Sequence, residues 1–135
     1  FYTNHAISPT GILRAFYLMA RGGAVQGGST ITQQYAKTAF LSREQTLKRK
    51  LKELIIAIKL ENQLSKDEIL ELYINIVPFG KRAYGAEAAA LTYYGKSLKD
   101  LKLEQLAMLA GIPQRPEAGN PINGPTWALR RRNQV

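Results

Sequence analysis

The sequence predicts an all-α protein, and three observations carry that class. No stretch alternates apolar and polar residues with the period of two that a half-buried strand shows. Apolar residues recur instead at three- and four-residue spacing in segment after segment. Hydroxyl residues followed three positions later by Gln or Glu, Thr30 with Gln33 and Ser65 with Glu68, mark helix starts as capping boxes. The chain has 135 residues, 45% of them apolar, and no internal repeat, which fits one domain around one core. It has no cysteine, so disulfides are excluded and the compartment cannot be read from redox chemistry. A net charge of +9 favours anionic partners: nucleic acid, anionic lipid or a phosphorylated substrate. No apolar run reaches the roughly 18 residues that span a bilayer.

Taken in order, Ser8 and Pro9 read as the N-cap and first position of a helix carrying Ile12, Leu13, Phe16 and Tyr17. That stripe suits a core. It equally suits a bilayer surface, with Arg14 and Arg21 at the head groups. Gly22-Gly23 and Gly27-Gly28 make a conformationally permissive loop. A second helix follows Thr30. In a third, Leu47, Leu51, Leu54, Ile55 and Ile58 share one face, which is expected to be core. Thr46, Arg49, Lys50 and Glu53 share the opposite face, which turns apolar at Ile56, Ala57 and Leu60, so the helix should be buried all round at its end. The Ser65 box starts a helix with Ile69, Leu72, Tyr73 and Ile76, stopped by Pro78 and Gly80. Ala86 to Leu91 is a small-residue helix suited to close packing, in which Glu87 reads as a surface charge or a buried structural partner. Leu103 to Ala110 is a helix closed by Gly111 and Pro113. A Pro/Gly/Asn-rich loop over residues 114–125 leads to a last helix, capped by Thr126, with Trp127, Leu129 and Arg130 to Arg132.

The chemistry concentrates between Gly27 and Glu53. Ser29 and Thr30 stand before a helix start, where free N–H groups and hydroxyls form a natural anion site. Lys37, Arg43, Lys48, Arg49, Lys50 and Lys52 follow, and then one acid, Glu53. A capped anion site, a cation cluster and a terminal carboxylate suggest a phosphorylated ligand. Each part also has a plain structural reading: a loop with its N-cap, a solvated helix face, and an Arg49–Glu53 pair of about 0.2–0.5 kcal/mol. Glu53 stands where its helix face passes from polar to apolar, a position from which a carboxylate can line a cleft.

These residues resemble the peptidoglycan glycosyltransferases (glycosyltransferase family 51) of class A penicillin-binding proteins and monofunctional glycosyltransferases. Gly27-Gly28-Ser29-Thr30-Ile31-Thr32-Gln33-Gln34 with Lys37, then Arg49-Lys50-x-x-Glu53, is similar to the second and third motifs. Glu71-Leu72-Tyr73-Ile74-Asn75, Gly80, Tyr84-Gly85 and Ala88-Ala89 resemble the fourth. Leu109 to Pro113, Pro116, Asn120-Pro121 and Arg131-Arg132-Asn133 resemble the fifth. Phe1-Tyr2-x-x-His5 is similar to the tail of the first, with departures: the family's His position reads Asn4 and its Gly reads Ala6. The Glu-Asp pair of that motif, whose Glu the family uses as general base, would lie just before Phe1. Residues 1–135 are therefore read as a single glycosyltransferase domain truncated at both ends, lacking that pair and the family's membrane anchor, and weak or inactive as it stands.

The resemblance implies a lysozyme-like helical fold with a small membrane-facing lobe. It implies polymerisation of lipid II into β-1,4 glycan, with inversion and an undecaprenyl diphosphate leaving group. Glu53 would assist at the diphosphate or its metal, while Ser29, Gln34, Lys37, Arg43, Arg49 and Lys50 would bind the diphosphate. Many members have Arg where this chain has Gln45, with Arg43 two positions away as a substitute. The resemblance makes no cofactor certain and leaves open a divalent cation, magnesium or manganese. The implied partners are lipid II and the growing glycan, the membrane surface, a C-terminal transpeptidase domain and other cell-wall synthesis proteins, with no nucleic acid. The implied place is the periplasmic or extracellular face of the bacterial cytoplasmic membrane, as a moenomycin target. Two alternatives remain. A lytic, lysozyme-like enzyme would need a lone acid in an apolar pocket and no cation cluster. A basic nucleic-acid-binding module would leave Gly-Gly-Ser-Thr unexplained, and no helix-turn-helix or zinc pattern is present.

Overall fold

The computed structural model describes residues 1–3, 13, 17, 29–42 and 46–135. Among them run six α-helices longer than a turn or two: α1 (Ile31–Phe40), α2 (Leu47–Gln63), α3 (Lys66–Ile76), α4 (Ala86–Tyr94), α5 (Leu103–Gly111) and α6 (Pro125–Arg132). Short 3-10 turns occupy Leu98–Asp100 and Ile112–Gln114. An isolated bridge, Pro78 to Tyr84, is the nearest thing to a sheet among the described residues. The protein is all-α. It divides into two compact units, Phe1–Tyr73 and Ile74–Val135.

In the first unit the helix ends follow their local chemistry. The Thr30 side chain accepts from the N–H of Gln33 at 3.2 Å and starts α1. Thr46, read only as a face residue from sequence, caps α2 by accepting from the N–H of Arg49 at 3.1 Å. The Ser65 box forms as expected: Ser65 N–H donates to Glu68 at 2.7 Å and Glu68 N–H to Ser65 Oγ at 3.3 Å. The N-terminal residues dock on the start of α3. Tyr2 donates its phenol proton to Asp67 at 2.8 Å, and Lys66 Nζ stands 5.0 Å from the centre of the Phe1 ring.

The orientation of α2 overturns one expectation. Leu47, Leu51 and Ile55 are 64%, 60% and 55% exposed, and Ile58 is exposed too. The inward ridge is the one that carries Glu53 and Ala57, against which α1 turns Thr32, Gln33 and Ala36. Nor is the helix buried all round at its end, since Lys59 is exposed and Ile56 and Leu60 are half-buried. Periodicity reports that a face is apolar; it does not report which face meets the neighbouring helix. Here small and polar groups satisfy one another in a close interface, and the bulky stripe stays outside it.

In the second unit, α4 buries Ala86, Ala89 and Ala90 and ends at Gly95 in the left-handed conformation (φ +63°). Glu87 ties the following turn, accepting from Ser97 Oγ at 2.8 Å and from Leu98 N–H at 3.0 Å; it is a surface charge, as one of the two readings had it, and a structural partner without being buried. Gly111 does not close α5 as a left-handed cap. It is helical (φ −77°), and a Cβ there would stand 2.9 Å from Arg131 Cγ, so its smallness serves the approach of α6. The last helix begins at Pro125, capped by Gly124 rather than by Thr126. Asn120 is fully buried in the loop before it.

Several expectations lie outside the described residues: the Ser8–Pro9 helix start, Arg14, Arg21, the two glycine pairs, Asn4 to Ala6, Arg43 and Gln45. Leu13 and Tyr17, from the first apolar stripe, are helical and exposed.

Candidate active site

The site is built where the start of α1 meets the start of α2. Residues 49, 50, 53 and 57 fall on one side of α2 at three- and four-residue spacing, so the Arg49 and Lys50 side chains reach the carboxylate one turn on. Glu53 is 1% exposed. Its Oε1 accepts from Lys50 Nζ at 2.5 Å and its Oε2 from Arg49 at 3.3 Å. Lys50 then crosses to α1, donating to Ser29 Oγ at 2.8 Å and Gln33 Oε1 at 3.3 Å. An ammonium has three donors, and these three acceptors use them all. Arg49 keeps a buried Nε with no hydrogen-bond partner among the described residues.

Two cations around one carboxylate leave a net positive charge, and the N-terminus of the ten-residue α1, with no acid in its first turn, adds to it. An anion fits here better than a cation does. Gln34 lies on the exposed side of the same turn, donating to the Ser29 carbonyl at 3.3 Å and accepting from the Tyr73 hydroxyl at 3.2 Å. Burial pushes the Tyr73 phenol up, so it remains a proton donor across the neutral range. A cleft of about 230 Å³ is lined by Ser29, Thr30, Gln34, Glu61, Lys66 and Phe1.

Of the predicted site residues, Ser29, Arg49, Lys50 and Glu53 are brought into one network, and Gln34 borders it. Lys37 lies in the last turn of α1, exposed, four residues from Gln33 and outside that network's hydrogen bonds. Arg43 lies outside the described residues. Sequence reasoning missed Gln33 as a contact of Lys50, and it missed Thr32, Glu61 and Lys66, which form a second polar cluster lining the cleft. Glu61 was detectable in principle: it continues the Glu53–Ala57 ridge by one more turn.

The described residues do not suit a divalent cation. No group of three or more His, Asp or Glu side chains is gathered among them, and both oxygens of Glu53 already face cations.

The whole chain, residues 1–135, matches the family model described as Transglycosylase. It is 48% identical to penicillin-binding protein 1A of Haemophilus influenzae, over 100% of this chain and 16% of that protein. Identity is 49% to penicillin-binding protein 1A of Escherichia coli (100% and 16%) and 49% to that of Aquifex aeolicus (100% and 19%). Among solved structures it resembles the crystal structure of Haemophilus influenzae penicillin-binding protein 1A, with TM-score 0.50 and 38% identity over 75% of this chain and 12% of that one. The chain thus spans less than a fifth of the length of these relatives. Helices capped and ordered in this way, with the Ser29–Lys50–Glu53 network at the junction of α1 and α2, belong to a chain of the transglycosylase family.

Proposed function

We propose that this chain carries peptidoglycan glycosyl transfer, extending a glycan from lipid II, a disaccharide linked through diphosphate to a polyprenol. The observation that carries the reading is the buried Glu53 carboxylate held between Arg49 and Lys50, with Lys50 bridging to Ser29 before a capped helix start. In the reaction the bond from the anomeric carbon to the diphosphate breaks, and its electron pair leaves with the diphosphate. An acceptor hydroxyl forms the new glycosidic bond, and its proton passes to a base. Negative charge therefore builds on the leaving group, where preorganised donors stabilise it most.

Lys50 and Arg49 supply cations, Ser29 and Gln34 supply neutral hydrogen bonds, and the α1 N-terminus adds its dipole. Diphosphate oxygens would take the place of Ser29 and Gln33 on Lys50. Glu53 keeps Lys50 and Arg49 oriented while the site is empty of substrate. Lys37, exposed in the last turn of α1, adds a cation on the same helix, and Arg43 is a diphosphate ligand on the family resemblance alone. The base is assigned to the acidic pair that the family resemblance puts before Phe1. A divalent cation at Glu53 would have to displace two basic side chains. Exposed apolar groups on the first unit, Leu13, Leu47, Leu51 and Ile55, suit contact with the membrane that holds a polyprenyl substrate, on its periplasmic or extracellular face. A transpeptidase domain elsewhere in the protein is the expected companion, given relatives named penicillin-binding proteins. A lytic reading is less favourable, because Glu53 has cations around it rather than an apolar pocket.

The test is calorimetric titration with the phosphoglycolipid moenomycin, with Lys50→Ala, Glu53→Gln and a DNA duplex at matched ionic strength as controls. Saturable binding weakened by both substitutions, with only salt-sensitive DNA association, supports the diphosphate site. Glycolipid binding that neither substitution alters would sink it.

A further inference from the structure

The polar ridge that α2 turns toward α1 has two ends, and only one of them carries the Lys50–Glu53 network. Glu53 stands at one end, and Glu61 stands two turns further on, with Ala57 between them. Glu61 Oε1 accepts from the Thr32 hydroxyl at 2.5 Å, and both Glu61 oxygens accept from Lys66 Nζ at 2.6 Å. Thr32 is fully buried, and the Glu61 and Lys66 side chains are largely buried. One carboxylate therefore ties the second residue of α1, the last turn of α2 and the first residue of α3.

The packing between α1 and α2 gives this tie its meaning. Apart from polar groups, the fully buried side chains on these two helices are Ala36 and Ala57. Alanines offer no knob that would resist rotation of one helix on another. Thr32 and Gln33 are consecutive, so they leave the α1 axis about 100° apart. Opposite ends of the α2 ridge hold them: Lys50 takes Gln33 and Glu61 takes Thr32. Hydrogen bonds are short-ranged and directional, so two of them at different azimuths fix both the rotation and the axial position of α1. Ser29, two residues before the helix, moves with it.

We infer that Glu61 is a positioning residue: acting through Thr32, it sets the rotation of α1 and so the placement of Ser29 and Gln34 beside Lys50 for the donor diphosphate. The inference rests on the glycosyl-transfer reading above. Lys66 holds the Glu61 carboxylate in place from the start of α3.

The experiment uses the intact protein and a polyprenyl-diphosphate disaccharide donor, with KM and kcat measured per folded molecule alongside thermal unfolding. Glu61→Leu and Thr32→Val are expected to raise the donor KM about tenfold while kcat changes less than about threefold, since donor binding depends on the position of α1. Thr32→Ser and Glu61→Gln, which keep the hydroxyl and the acceptor, should return KM to within about threefold of wild type. Ser29→Ala added to Thr32→Val should raise KM little further, because both act on the same contact. Should Glu61→Leu fail to fold, the isosteric Thr32→Val carries the test. An unmoved KM in Thr32→Val, or Thr32→Ser behaving no better than Thr32→Val, overturns the inference alone. A wild-type protein that consumes no polyprenyl-diphosphate donor overturns the functional reading, and the inference with it.

Discussion

Two buried polar side chains, Glu53 in the first unit and Asn120 in the second, are equally hidden and differently used. Asn120 is closed on itself. Its Nδ2 donates to the carbonyls of Pro116 and Glu117, both at 2.9 Å, and its Oδ1 accepts from the N–H groups of Ile122 and Asn123 at 3.0 and 2.9 Å. All four partners are backbone, so the side chain has its capacity filled by its own loop. Glu53 is held by side chains that remain partly open to solvent, Arg49 and Lys50, which can trade partners when an anion arrives. A buried polar group saturated by backbone sets a loop. One balanced by long cationic side chains can serve a ligand.

That contrast can be broken from either side, and the largest effect is expected at the loop. Gly80 has φ +78°, and a Cβ there would stand 2.0 Å from the Pro116 carbonyl that Asn120 also uses. Gly80→Ala should cost more than about 4 kcal/mol of stability, read from denaturant unfolding. Asn120→Ala leaves four backbone groups without their partner and should cost about 3 kcal/mol, with glycolipid affinity per folded molecule unchanged. Lys50→Ala should show the reverse balance: a smaller stability loss than Asn120→Ala, because Arg49 stays on Glu53, and glycolipid affinity down about 100-fold, or about 2.7 kcal/mol. A large stability loss there, or an affinity loss in Asn120→Ala, would erase the distinction.

The smallest effect concerns pH. Glu87 is exposed, and its hydrogen bonds from Ser97 Oγ and then Leu98 N–H lower its pKa below the ordinary 4.5. A carboxylate lowered on folding adds stability above its unfolded pKa and loses it as pH falls through the folded value. Glu87→Gln should therefore flatten the decline of the melting temperature below pH 4.5, measured against wild type between pH 5 and 3.

The features legible in the sequence are those set by neighbours along the chain. Thr30 and Ser65 cap the helices they were expected to cap, because a hydroxyl reaching an N–H three residues on needs nothing beyond its own turn. Arg49, Lys50 and Glu53 could be grouped because helical spacing alone puts them on one side. The family motifs pointed to Ser29 for the same site, and Lys50 meets it across 21 positions of chain. Other outcomes depended on which surfaces meet. The stripe from Leu47 to Ile58 is as apolar as a core face should be, yet α1 packs on the other ridge, where Thr32, Gln33 and Ala36 fit closely against Glu53 and Ala57. Gly111 looked like a helix end, and its smallness instead serves the approach of α6, since a Cβ there would stand 2.9 Å from Arg131 Cγ. Glu61 lies on the same ridge as Glu53, one turn past Ala57, but its role was not legible, because its partners, Thr32 and Lys66, come from the two helices flanking its own in sequence. Amino-acid order fixes which helices form and where they start, since those interactions close within a turn. Which face is buried, and which buried charge is left able to exchange its partner, follows from contacts between residues far apart in the chain, and only the folded chain decides them.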